Sequence, residues 1–157
     1  MIEQKFYLTK EGLEKLKKEY QELRDLRISV VKAGAPKTLQ SEDPNPEYLS
    51  FQEDLDLFET KIAQLDYVLK NVEIIKSPSR NDQGVVHLGA TVTLQENNGQ
   101  TNEFMLVGTL EADPEEGKIS LDSPIGKAIF GKRTGEEVFI DSPAKIAYNI
   151  KKIKYQI

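Results

Sequence analysis

Residues 48–72 read YLSFQEDLDLFETKIAQLDYVLKNV, and their spacing decides the fold. The apolar residues Tyr48, Phe51, Leu55, Phe58, Ile62, Leu65, Leu69 and Val72 step by three and four without a break. On an α-helix such steps place every member on one face, a heptad seam that requires a partner helix. The remaining faces carry Glu53, Asp54, Asp56, Glu59, Lys61, Asp66 and Lys70, which belong in water. A helix of roughly 27 residues at about 1.5 Å each is about 40 Å long, more than a compact domain of this size requires.

The partner lies upstream. Leu13, Leu16, Tyr20, Leu23 and Val30 repeat the same steps, with Arg27 in the one position that breaks the stripe and Leu26 and Val31 beside it. Thr9 precedes this segment as a helix N-cap. Acidic and basic residues alternate along the outer faces, several of them three or four apart, which supports a solvated helix. Only a short breaker-rich stretch separates the two segments, and no third helix carries a matching stripe. The pattern predicts an antiparallel helical hairpin rather than a bundle.

The turn between them, Gly34 to Pro46, holds three prolines and a glycine and cannot continue a helix. Asn45 before Pro46 is a helix start: the residue before proline is pushed to extended angles, and proline suits the first helical position. Glu42 and Asp43 sit on this loop, with Lys32 and Lys37 close by and Arg24 and Arg27 further back. The two acids read either as a solvated turn or as a carboxylate probe for a hard cation such as Mg²⁺. Two carboxylates cannot complete a Mg²⁺ shell, so a second molecule would have to supply the rest.

Past Val72 the pattern changes. Residues 76–84 are polar and proline-bearing, a linker. Beyond them come short β-like runs at 85–88, 90–94, 104–107, 119–121, 137–140 and 146–155, with an Asn97-Asn98-Gly99 hairpin turn. Ser123-Pro124 opens a short helix that Gly131 stops. The domains are therefore expected as 1–75, a coiled-coil hairpin with its tip at about 34–46; 76–84, a linker; and 85–157, an α+β domain of mostly antiparallel sheet with one helix.

Chemistry of its own looks thin. His87 is the sole histidine and cysteine is absent, which excludes histidine- or thiolate-based metal sites, Cys–His nucleophiles and disulfides. Glu111, Asp113, Glu115 and Glu116 cluster without EF-hand spacing and read as a solvated turn. Gly126 to Lys132 approaches a phosphate-binding loop but is followed by Arg133, where a hydroxyl is needed. The net charge of −5 argues against a general nucleic-acid coat, no apolar run reaches membrane-span length, and the first residues lack a signal-peptide core. The absence of cysteine fits a reducing compartment, and we expect a cytoplasmic protein; we also expect a monomer.

Several short pieces, in order over nearly the whole chain, carry a resemblance. They are Leu8-Thr9-Lys10-Glu11-Gly12, Asn45-Pro46-Glu47-Tyr48, Gly89-Ala90-Thr91-Val92, Glu111-Ala112-Asp113, Gly117-Lys118-Ile119-Ser120 and Ser123-Pro124-Ile125-Gly126-Lys127. Together they resemble the GreA/GreB transcript-cleavage factors of bacterial RNA polymerase, the GreA branch more closely. The resemblance implies an N-terminal coiled-coil hairpin and a C-terminal FKBP-like domain. It implies an accessory factor rather than an enzyme. The C-terminal domain would dock on the polymerase, with Asp122, Ser123 and Pro124 in the docking segment. The hairpin would reach down the secondary channel. Acids at its tip would help hold a Mg²⁺ shared with the polymerase, and water activated there would cleave the 3′ end of backtracked RNA. Arg24, Arg27, Lys32 and Lys37 would contact that RNA or the polymerase.

The tip departs from the family's pattern. The positions where the family carries its Asp and Glu are Ser41 and Pro44 here, and Glu42 and Asp43 lie between them. A one-residue shift displaces a carboxylate by up to about 3.8 Å, far outside a Mg–O distance near 2.0–2.1 Å unless the backbone compensates. A secondary-channel regulator that binds without stimulating cleavage is therefore a second reading. A peptidyl-prolyl isomerase on the FKBP-like half is a third, set back by the absence of tryptophan.

Overall fold

The computed structural model describes residues 4–35, 45–141 and 144–157. The chain divides into two compact units, one of Glu14–Asn71 and one of Gln4–Leu13 with Val72–Ile157.

Two helices make the first unit: α1 (Lys10–Ala33), whose opening turn belongs to the second unit, and α2 (Pro46–Lys70). The seam is as its spacing predicts. Tyr48, Phe51, Leu55, Phe58, Ile62, Leu65 and Leu69 are all half-buried, as are Leu16, Tyr20, Leu23 and Val30, while Arg27 is exposed. Half-burial follows from having one partner helix and no second layer. Polar ties cross the pair: Tyr20 Oη donates to Asp66 at 3.4 Å, and Lys61 Nζ lies 3.9 Å from Glu19. Lys70 Nζ meets Asp66 at 2.6 Å, and its hydrogen bond, ahead of weaker contributions, holds the Asp66 carboxyl below its ordinary range.

The helix is shorter than the seam suggests. α2 stops at Lys70, where the Asn71 amide turns back to the Val68 carbonyl at 3.0 Å. Val72 keeps the heptad step but opens a strand, because the backbone of 72–74 pairs with that of 6–8. β1 (Phe6–Leu8) and β2 (Val72–Ile74) run parallel, in register Phe6↔Val72, Tyr7↔Glu73 and Leu8↔Ile74. A parallel pair needs a long crossover connection; here the helical hairpin is that crossover.

The rest of the second unit is a five-stranded sheet in the order β5-β4-β3-β7-β6. Its strands are β3 (Ala90–Glu96), β4 (Thr101–Val107), β5 (Lys118–Ser120), β6 (Glu137–Asp141) and β7 (Lys145–Tyr155), with α3 (Pro124–Ile129) between β5 and β6. Three pairings are antiparallel, as expected, and β4–β5 is parallel, so the sheet is mixed. Inward positions alternate along β3: Ala90, Val92 and Leu94 have no exposure. With Leu106, Ile129, Ile150 and Val86 they form the core. Residues 85–88 were expected as a strand; they form none, although Val85 makes an isolated bridge to Arg133 and the buried Val86 receives the Gly131 amide at 2.8 Å.

Candidate functional site

The distal end of the hairpin is bounded by two local devices. Gly34 at φ +78° ends α1, its amide returning to the Val31 carbonyl at 3.1 Å, a left-handed stop that glycine adopts without strain. Asn45 (φ −67°, ψ 122°) caps α2, its Oδ1 accepting the Glu47 amide at 3.0 Å with Pro46 in the first turn. Glu42, Asp43, Lys37, Ser41 and Pro44 lie outside the described residues. Among the described residues, no group of three or more acidic or histidine side chains is placed to hold a metal.

The three described candidate cations, Arg24, Arg27 and Lys32, fall within one arc of about 140° on α1. At about 100° per residue, Arg27 lies on the seam line, Arg24 about 60° from Arg27, and Lys32 about 140° from it. Arg24 is partly engaged, its guanidinium 5.6 Å from the Tyr20 ring centroid. Lys32 sits in the last turn of α1, where its charge also suits the helix C-terminus.

The segment expected to dock, Asp122 to Pro124, splits in its local contacts. Ser123 is used locally: its Oγ accepts the Gly126 amide at 3.0 Å and donates to the Ser120 carbonyl at 2.7 Å, capping α3. Asp122 is exposed and accepts from Thr109 Oγ1 at 3.3 Å, and Pro124 is exposed. Beside them the unit carries an apolar groove of about 820 Å³ lined by Tyr7, Val72, Leu88, Leu121 and Phe130, with His87 in its wall. His87 meets the Phe130 ring edge-on at 5.9 Å. Phe130 remains 45% exposed. Sequence reasoning missed this groove because its walls come from five separate segments; the apolar Phe130 next to the predicted Gly131 stop was the available signal.

Glu111 also departs from expectation. It is not a solvated turn residue. Its Oε2 accepts the Thr9 amide at 2.7 Å and its Oε1 accepts the Thr9 hydroxyl at 2.5 Å. The Thr9 Oγ1 in turn accepts the Gly12 amide at 3.0 Å, so Thr9 is the N-cap its sequence suggested.

Comparison with known proteins gives a consistent answer. The family model "Transcription elongation factor, N-terminal" matches residues 6–74, and "Transcription elongation factor, GreA/GreB, C-term" matches residues 81–155. The transcription elongation factor GreA of Thermomicrobium roseum is 35% identical over 145 residues, covering 91% of this chain and 92% of its own. That of Bacillus cereus is 37% identical over 144 residues, covering 90% of each. Among solved structures, the GreA factor homolog 1 of Thermus thermophilus covers 96% of this chain and 99% of its own at 26% identity, with a TM-score of 0.43.

Proposed function

The chain belongs to the GreA/GreB family of transcription elongation factors, and from that premise we propose that it acts on a bacterial RNA polymerase through the secondary channel. The sheet unit docks on the polymerase, with Asp122, Pro124 and the neighbouring apolar groove as the contact surface. The hairpin enters the channel and brings Glu42 and Asp43 to the reaction centre, where they add oxygen ligands to a Mg²⁺ held mainly by the polymerase. Such an ion polarises a phosphoryl oxygen and lowers the pKa of its water. Hydrolysis of backtracked RNA then belongs to the polymerase, and the factor is an accessory working in the cytoplasm with the transcription machinery.

The observation that carries this reading is the hairpin itself. Its seam is satisfied by two helices alone, and its outer faces are charged. Such an arm needs no further layer of its own chain and can enter a solvated passage. Arg24, Arg27 and Lys32, within one arc of about 140° on α1, suit phosphate contacts, for which only a cation within reach is needed; Lys37 on the tip loop belongs to the same set.

The replacement of the family's two tip acids by Ser41 and Pro44 favours one alternative, a channel-occupying regulator without cleavage activity. A single assay separates the two. On stalled, backtracked elongation complexes the protein should speed Mg²⁺-dependent RNA shortening, and joint Glu42→Ala and Asp43→Ala replacement should abolish the effect while leaving binding intact. A wild-type protein that binds the complex and leaves the RNA at full length establishes the regulator instead.

A further inference from the structure

The two edges of the five-stranded sheet are finished differently. At one edge stands β5, three residues long, and the chain itself closes it. The Asp113 amide donates to the Lys118 carbonyl at 2.8 Å, and the Lys118 amide donates back to the Asp113 carbonyl at 2.9 Å. At the other edge stands β6, five residues long, paired with β7 on its inner side and with no strand on its outer side. Among the described residues, no backbone bond outside the β6–β7 ladder reaches Glu137–Asp141. An edge strand in this state offers a row of N–H and C=O groups to any extended chain that can approach.

The side chains determine which chain can approach. Burial alternates along β6: Val138 and Ile140 are buried, and Glu137, Phe139 and Asp141 are exposed. One face of the edge therefore reads acid, aromatic, acid. Phe139 is 55% exposed, and the Lys145 ammonium lies 5.0 Å from its ring centroid. Lys145 belongs to β7 and stands opposite Asp141 in the β6–β7 register. That cation is on the inner side of the strand, and β6 itself contributes only carboxylates to the outer flank.

A second β6 approaching antiparallel and in register would set Glu137 against Asp141 twice, and like charges directly opposite are destabilising. A segment with a basic, an apolar and a basic residue at alternate positions meets the same row with opposite charge on both carboxylates and apolar area on Phe139. Its intervening residues fall on the other face, beside Val138 and Ile140. We propose that the outer edge of β6 is a docking strand for an extended segment of a partner protein with this basic–apolar–basic alternation, which adds to the sheet beyond β6. The backbone bonds supply affinity, and the alternating side chains select the partner. The edge shares no residue with the apolar groove or with the hairpin, so its role stands whether or not the factor stimulates cleavage.

The probe is the blocked peptide acetyl-Lys-Thr-Val-Thr-Lys-amide, titrated into the isotope-labelled full chain and followed by amide NMR. Shifts should gather at Glu137–Asp141 and at the facing residues of β7, with slower exchange of the β6 amides. Joint Glu137→Lys and Asp141→Lys replacement should weaken this peptide by about tenfold or more and let the charge-reversed peptide, with Glu in place of each Lys, bind instead. Unchanged amide signals elsewhere in the sheet show that the variant remains folded. Two further peptides carry N-methyl groups on alternate amides, one on its Lys and Val residues and the other on its two Thr residues. Only one of these sets can face β6, so one peptide should bind like the unmodified one and the other should not. Equal binding by both means charge attraction without strand addition and overturns the proposal. It is also overturned by shifts that fall elsewhere on the sheet, or by none at millimolar peptide. Concentration-dependent shifts at β6 in the chain alone overturn it too, because the occupant is then a second copy.

Discussion

The seam of the hairpin and the core of the sheet are built from the same kinds of side chain but differ in depth. Leu55, Phe58, Ile62 and Leu65 are each half-buried. Val92, Leu94, Leu106 and Ile150 have no exposure at all. One unit closes its apolar surface against a single helix; the other closes it between a sheet and α3 with the segments that cover them. A two-helix unit buries less per residue, and its stability is spread thinly along its length. The sheet concentrates its stability in that core. The hairpin keeps much of its surface in solvent.

The largest effect should come from testing that difference directly. Leu106→Ala should destabilise the sheet unit by about 2–5 kcal/mol, the usual range for a fully buried leucine. Ile62→Ala in the seam should cost less, about 1–2 kcal/mol, because that side chain is only partly buried. Chemical denaturation followed by circular dichroism measures both; equal losses would mean that the seam is a true core. Next in size is the cap at the distal end. Asn45→Ala removes the bond to the Glu47 amide and should cost about 1 kcal/mol, seen as faster amide exchange in the first turn of α2 with the sheet amides unchanged.

The smallest effect is a pH dependence confined to the hairpin. The hydrogen bond from Lys70 depresses the Asp66 carboxyl, and Tyr20 and Arg24 add to it. The folded state therefore holds this proton less tightly than the unfolded chain. The contribution is present above the ordinary carboxylate range and is lost as pH falls through the depressed value. The partner's shift is opposite: Asp66 raises Lys70, so that contribution is lost only at strongly alkaline pH. Acid titration of helicity should show a small loss in the parent protein that Asp66→Asn lacks, and high salt should weaken it because the pair is exposed.

Much of this architecture was legible in the residues. The seam could be read because a three-four spacing is complete within one segment. The caps at Thr9, Asn45 and Ser123 could be read because each lies within three residues of the amide it serves. What failed was anything whose partner is remote. β1 and β2 are three residues each and pair across the whole hairpin, so neither carries a local signal, and Val72 was claimed by the heptad when the strand had it. Glu111 stands among Asp113, Glu115 and Glu116 and looks like one more solvated acid until Thr9 is seen beside it. Of the candidate site, the docking segment and the cations of α1 fall on described elements, whereas the two tip acids that decide between cleavage and mere occupancy do not.

The parallel pairing of β1 with β2 has a topological corollary. Its register sets Leu8 beside Ile74 and Val72 beside Phe6, so the chain leaves β1 at one end of the pair and enters β2 at the other. Anything inserted between Leu8 and Val72 must therefore return along the length of the strand pair as well as across its width of about 4.8 Å, which a two-residue turn cannot do and a helical hairpin can.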